Sequence, residues 1–286
     1  MIAFLLPLLA QASTDAVDPS GFRYPTTRHA PVESSVSSAA LAPPQSAEQD
    51  RLTVCLKQTT DDPAGAAFSA NGWILETSGA ERSYARQCLG MAYTVQQKWQ
   101  SAEDAFLAGR ADTPADNPGR RARLAAMAGN SALADGRNDN ALADLGMAAV
   151  DATGASDTIL GGEIEIDRAR ALVALGKTGE AGAALEKARR EAPQNSDAWL
   201  LSATLARRGG DLATAQSHIA TAAGLDPTNP QIDLEAGVIA ALGGKDDAAR
   251  KSFQSVIQLW PGSPDADTAK TYLAQLDPPP AEGITP

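Results

Sequence analysis

Prolines return at one fixed interval: Pro193, Pro227 and Pro261 stand 34 residues apart. Each is preceded by the same punctuation. Gly176, Gly210 and Gly244 lie five residues before Ala181, Ala215 and Ala249, and four residues further come Leu185, Ile219 and Phe253. A period this regular describes a row of supersecondary units, none of which can bury its apolar face alone, rather than one globular core.

Each period reads as two helices. In the stretch from Ser196 to Asn229, Asn195 and Ser196 are placed to cap a first helix whose apolar positions are Trp199, Leu200, Ala203 and Ala206. Gly209-Gly210 ends it, Asp211 caps a second helix bearing Ala215, Ile219 and Ala222, and Asp226-Pro227 stops that one, because the residue before proline disfavours the α conformation. Composition fits close helix packing: apolar residues make up 43% of the 286 and aromatics only 5%, so Ala, Leu, Val and Ile must fill the interior.

The pattern resembles the tetratricopeptide repeat family. Leu89-Gly90, Tyr93, Ala102, Phe106 and Pro114 fall at the family's motif spacings, with Arg86 where the motif carries its first Trp. A weaker unit holds Gly129, Gly136, Ala141, Leu145 and Ala148 and ends in Thr153 rather than proline. The resemblance implies an all-α fold, a right-handed α-solenoid of antiparallel helix pairs. Five repeats are expected over 83–263, beginning near Ser83, Ala122, Gly162, Ser196 and Pro230, with extra residues near Asn117–Arg121 and Gly154–Gly161 lengthening two connections. A degenerate helix pair over 48–78 precedes them. A capping helix over 264–276 follows, with Ala269, Tyr272, Leu273 and Leu276 inward and Lys270 and Gln275 outward.

The ends differ in character. Ile2–Leu9 is an apolar run followed by Ala10-Gln11-Ala12, a small-x-small pattern that reads as a signal peptide over 1–12, although no Lys or Arg precedes the run. Residues 13–47 are rich in Ser, Pro, Ala and Thr without helical period and are expected to be a disordered spacer, and 277–286 a disordered tail. A periplasmic or secreted mature chain follows, with no stretch approaching the roughly 20 apolar residues of an integral membrane span.

Net charge is −11, which argues against nucleic acid and anionic headgroups as partners. Neither a phosphate loop, HExxH nor CxxC is present, and no cofactor or metal is expected. The two histidines, His29 and His218, are expected on the spacer and in a helix rather than in a catalytic set. Glu163, Glu165 and Asp167 read as acids at a solvated helix start, complementing its dipole.

What the resemblance implies about function is partner binding. Family members dock peptides or helices on the concave face lined by first helices. Carried onto this sequence, that lining is Tyr84, Gln87 and Met91, then Arg123 and Asn130. It continues through Asp167 and Arg170, then Thr204, Arg207 and Val238. Arg170, Arg207 and Arg208 are the candidates to grip a partner's carboxylates. The Lys/Asn set with which some relatives hold a C-terminal carboxylate is not visible. Cys55 and Cys88 fall 33 residues apart on neighbouring first helices. They form either a disulfide, reasonable if the chain is exported, or two buried thiols too far apart to bridge. The expected function is a non-enzymatic scaffold of the cell envelope that binds other proteins or peptides. The competing expectations are a cell-wall-acting enzyme or an accessory subunit of an envelope enzyme complex.

Overall fold

The computed structural model describes residues 46–276. The proposed signal peptide, most of the spacer, His29 and the tail lie outside them. Thirteen helices and no strand occur among the described residues. In order they are α1 (Ala47–Asp61), α2 (Pro63–Glu76), α3 (Gly79–Val95), α4 (Trp99–Asp112), α5 (Pro118–Ala134) and α6 (Asn138–Ala155). There follow α7 (Thr158–Ala174), α8 (Thr178–Glu191), α9 (Ser196–Arg208), α10 (Leu212–Leu225), α11 (Pro230–Leu242), α12 (Asp246–Leu259) and α13 (Pro264–Leu276). They form two compact units, one up to Leu160 and one from Gly161 onward.

Local sequence sets both ends of each pair. Ser46 and Gln49 make a reciprocal capping box on α1. Asp62, Asn117 and Asn229 cap helices that begin with Pro63, Pro118 and Pro230, where a missing N–H costs nothing. From α3 onward the chain reverses within each pair through one left-handed residue, at Gln97 and then at Gly136, Gly176, Gly210 and Gly244. In each reversal the next N–H reaches back five residues, as from Arg137 to the carbonyl of Ala132 at 2.9 Å and from Lys177 to that of Leu172 at 2.8 Å. These are Schellman closures, and they explain the recurring glycines.

Side chains bury locally. Within the first unit, Leu52, Cys55, Ala70, Trp73, Ala85 and Cys88 make one cluster, and Phe106, Leu124 and Ala128 belong to another. In the second, Leu200, Ala203, Ile219 and Ile239 precede a terminal cluster of Val238, Phe253, Val256 and Tyr272. First helices also touch the next first helix, in α1 with α3, α9 with α11 and α11 with α13. The register inside a pair is fixed by one small residue meeting one large one sixteen positions on: Gly90 with Phe106, Gly129 with Leu145, Gly237 with Phe253.

Three expectations need correction. The repeats expected to begin near Ser83, Ala122 and Gly162 begin their first helices at Gly79, Pro118 and Thr158, about one turn earlier. The extra residues near Asn117–Arg121 and Gly154–Gly161 do not lengthen loops. They are wound into α5, α6 and α7, of 17, 18 and 17 residues. The side chain of Asn117 starts α5, and Ser156 takes the left-handed position that ends α6. Lastly, Gln275 is half-buried rather than outward, while Lys270 is exposed.

Candidate functional site

In the first unit, helices α1, α3 and α5 stand in sequence as first helices, and their inner residues enclose a cavity of about 430 Å³. Helical spacing decides which side chains reach it. From α1 come Gln49, Leu52 and Thr53, at i, i+3 and i+4. From α3 come Tyr84 and Gln87. The first turns of α5 supply Arg120, Arg123 and Leu124, and its cap Asn117 completes the wall.

Arg120 is the most constrained of these. Its guanidinium carbon lies 3.6 Å from the centre of the Tyr84 ring, a cation–π arrangement. Its Nε donates to the Ser83 hydroxyl at 3.0 Å, and that hydroxyl shares a 2.7 Å hydrogen bond with Thr113. Its Nη2 is buried without a hydrogen-bond partner among the described residues. Burial is the main influence on this group, holding its pKa below the ordinary arginine value; Tyr84 opposes that, and the like charge of Arg123 adds to it. Arg123 is largely exposed and pairs with Asp157 at 3.2 Å.

Of the residues expected to line a binding face, the structure brings together Tyr84, Gln87 and Arg123. Met91 instead packs beside the cluster of Phe106 and Leu124, and Asn130 is half-buried further along α5. In the second unit the expected arginines are already engaged. Arg170 donates to Asp167 at 2.5 Å and to Asp197 at 3.0 Å. Arg207 grips Glu235 with two bonds, 2.6 and 3.3 Å, and its side chain is only 8% exposed. Neither is free for a partner's carboxylate. The chain's own acids on neighbouring first helices are closer and cost no association entropy. Val238 is a core residue at 6% exposure, and Thr204 donates to the carbonyl of Leu200. Arg208 sits at the exposed end of α9.

The acidic run is also reassigned. Helix α7 begins at Thr158, so Glu165 is past its first turns. It is 1% exposed and accepts from Arg168 at 2.8 Å and Lys187 at 2.9 Å. It is a buried ion-pair centre rather than a solvated helix start. His218 packs against Trp199, ring centres 5.6 Å apart, and burial holds its pKa below the usual range. The Cα atoms of Cys55 and Cys88 are 6.0 Å apart with the sulfurs in contact, a separation that a disulfide spans.

One carboxylate has a displaced titration. Asp144 is pushed up to about 7 by burial first, then by the charge of Glu103 and a hydrogen bond with it, against Arg137 and Arg110. Glu103 is itself salt-bridged to Arg137. This pair joins α4 to α6 and does not line the cavity. Among the described residues no cluster of three His, Cys, Asp or Glu side chains is placed to hold a metal, and no helix is long and apolar enough to cross a membrane.

Arg120, Asn117 and the α1 residues are not legible as site residues from the repeat period. Placing a repeat start near Ala122 leaves Arg120 in a connection. The available signal was Asn117-Pro118, an N-cap followed by a first-turn proline.

Residues 166–230 and 201–264 match the family described as Tetratricopeptide repeat. No protein of curated function matches the chain in sequence. Among solved structures, the chain is similar in fold to PilW, described as a widely conserved type IV pilus biogenesis factor. The TM-score is 0.64 at 16% identity, covering 79% of this chain and 100% of that one. It is also similar to PilF of Pseudomonas aeruginosa, with TM-score 0.61, 15% identity and coverage of 79% and 97%. A thermophilic tetratricopeptide-repeat protein of Thermus thermophilus gives 0.52 at 16% identity over 68% and 98%. At these identities the likeness is one of fold.

Proposed function

We propose that this protein is a non-catalytic scaffold of the cell envelope that holds partner proteins on the face formed by its first helices. The observation that carries this reading is the open cavity shared by α1, α3 and α5. Three successive first helices contribute to one surface, as a repeat stack does when it receives an extended segment. The carboxylate with a displaced pKa, Asp144, is 5% exposed and lies away from that surface, so it is not offered to a substrate.

The envelope assignment draws on the apolar run Ile2–Leu9 and Ala10-Gln11-Ala12, and on cysteines close enough to be oxidised in a compartment that permits it. The role of PilW as a pilus biogenesis factor is compatible with a scaffold but transfers no partner. Intact mass of the exported chain should begin at Ser13, with Cys55 and Cys88 lacking free thiols. A cytoplasmic, reduced, uncleaved product would remove the envelope part.

Site-specific photocrosslinking in cells tests the binding face. A photoreactive residue at Gln87, on the cavity wall, should yield discrete adducts. The same residue at Val150, exposed on α6 and outside the cavity lining, should not. Adducts from Val150 alone would refute the assignment of the face.

A further inference from the structure

Two arginines line the cavity of an acidic chain, and no Asp or Glu does. That is unusual here, because the candidate arginines of the second unit are neutralised internally, Arg170 by Asp167 and Asp197 and Arg207 by Glu235. Arg120 differs in kind. Among the described residues no carboxylate comes within ion-pair distance of it. Its fork is set in place by the Tyr84 ring at 3.6 Å and by the bond from Nε to Ser83 at 3.0 Å, and a donor nitrogen is left without a partner. A desolvated cation without a counter-charge is stabilised by any carboxylate that reaches it. A fork already fixed by stacking loses little freedom on binding. Arg123, on the same helix face, is already paired with Asp157 at 3.2 Å, so Arg120 is the cavity's uncompensated cation. The rest of the wall is neutral, with the amides of Gln49 and Gln87 beside the apolar Leu52 and Leu124.

We propose that this cavity receives an aspartate or glutamate side chain from an extended acidic and apolar segment of a partner protein. Arg120 binds the carboxylate, and Leu52 and Leu124 take an adjacent apolar side chain. The inference rests on the reading of the α1, α3 and α5 face as the interaction surface and names the chemistry that surface selects. A single uncompensated guanidinium matches a single side-chain carboxylate. The extra turn of α5, begun by Asn117 and Pro118, is what carries Arg120 onto the helix and over Tyr84. The insertion that breaks the 34-residue period is therefore the source of the site.

The test selects dodecapeptides from a displayed random library on the full chain, then measures winners, synthesised with amidated C-termini, by fluorescence anisotropy. Winners should carry Asp or Glu at one fixed position. Arg120→Gln should weaken them about tenfold or more, and Arg120→Lys, which keeps the charge but loses the fork, should fall between. Changing the peptide's acid to its amide should cost affinity with the native protein and nothing further with Arg120→Gln, a coupling that mere destabilisation of α5 cannot mimic. Winners without an acid that bind native and Arg120→Gln chains equally would overturn this inference while leaving the face a binding surface. Peptides that bind only with a free C-terminus would assign the cavity to a chain end and overturn it too. Failure to select any peptide, together with no crosslink from Gln87, would remove the underlying reading as well.

Discussion

The same substitution, Gly to Ala, should act with opposite sign at two helical positions. At Gly237 in α11, an added Cβ would lie 2.3 Å from Cε1 and 2.6 Å from Cδ1 of Phe253. Ordinary carbon contact begins about 1 Å further out, so the ring must retreat. Phe253 is fully buried, with Val256 in its cluster and the Tyr272 ring centre 5.4 Å away. Its retreat pushes the whole terminal cluster. Overpacking of this kind costs about 1–3 kcal/mol, while removing a helical glycine returns up to about 1 kcal/mol. Gly237→Ala should therefore lose about 1–2 kcal/mol. Gly146 lies inside α6 with nothing within 4 Å of its added Cβ, so Gly146→Ala should gain about 0.5–1 kcal/mol from the reduced freedom of the unfolded chain.

The chain itself suggests the rescue. Where the small residue is glycine, the residue sixteen on is Phe106, Leu145 or Phe253; where it is Ala169 or Ala203, the partner is Leu185 or Ile219. Gly237→Ala with Phe253→Leu should thus be less destabilised than the sum of the singles by about 0.5–2 kcal/mol. Urea unfolding followed by far-ultraviolet circular dichroism, compared at equal m-value, measures all four variants. A Gly237→Ala chain as stable as the native one, or additive singles, would refute the register argument.

Three other perturbations follow from buried charge and covalent closure. Because the carboxyl of Asp144 is raised to about 7 in the folded chain from an ordinary value near 3.8, its contribution is fully present below about pH 4 and is lost as pH rises through 7. Asp144→Asn should flatten that decline and be more stable than the native chain at pH 8, by up to about 4 kcal/mol; an unchanged pH profile would count against it. Glu235→Ala leaves Arg207 buried without its counter-charge and should cost about 3–5 kcal/mol, whereas Arg207→Met with Glu235→Leu should recover most of it. Equal loss in single and double variants would show that shape, not charge, matters there. Reducing a bond between Cys55 and Cys88, which closes a loop of sequence separation 33, should destabilise the α1–α3 region by about 3–4 kcal/mol. Hydrogen exchange before and after reductant reads this directly, and unchanged protection in α1 would contradict it.

Legibility differs sharply between backbone and side chains. The helix pairs from Ser196 and Pro230 begin where their caps predict, because Asn195 and Asn229 each accept from the second residue beyond. The glycine reversals are equally local events, decided by one φ. Earlier in the chain the period alone misplaces the starts by a turn. A 34-residue rhythm says nothing about residues wound into a longer helix, and only the caps Asn117 and Asp157 mark them. Where local chemistry and period disagree, the cap is the better guide, since it satisfies specific N–H groups while the period is only an average over units.

The site was less legible because the deciding quantity is pairing, and pairing crosses units. Family geometry indicates that Tyr84, Gln87 and Arg123 face inward, and they do line one cavity. It equally nominates Arg170 and Arg207, yet these meet Asp197 and Glu235 from the next first helix, 27 and 28 residues on. Arg86 and Asp112 pair within one helix pair at 2.5 Å, and Arg110 and Asp151 join second helices at 2.6 Å. A net charge of −11 averages over these pairs and hides which cations remain. In a stacked fold, a cation becomes available to a ligand only where the neighbouring helix offers it no acid. Arg120 meets that condition: its neighbours are the Tyr84 ring and the Ser83 hydroxyl. Neither neutralises it, and both hold it still.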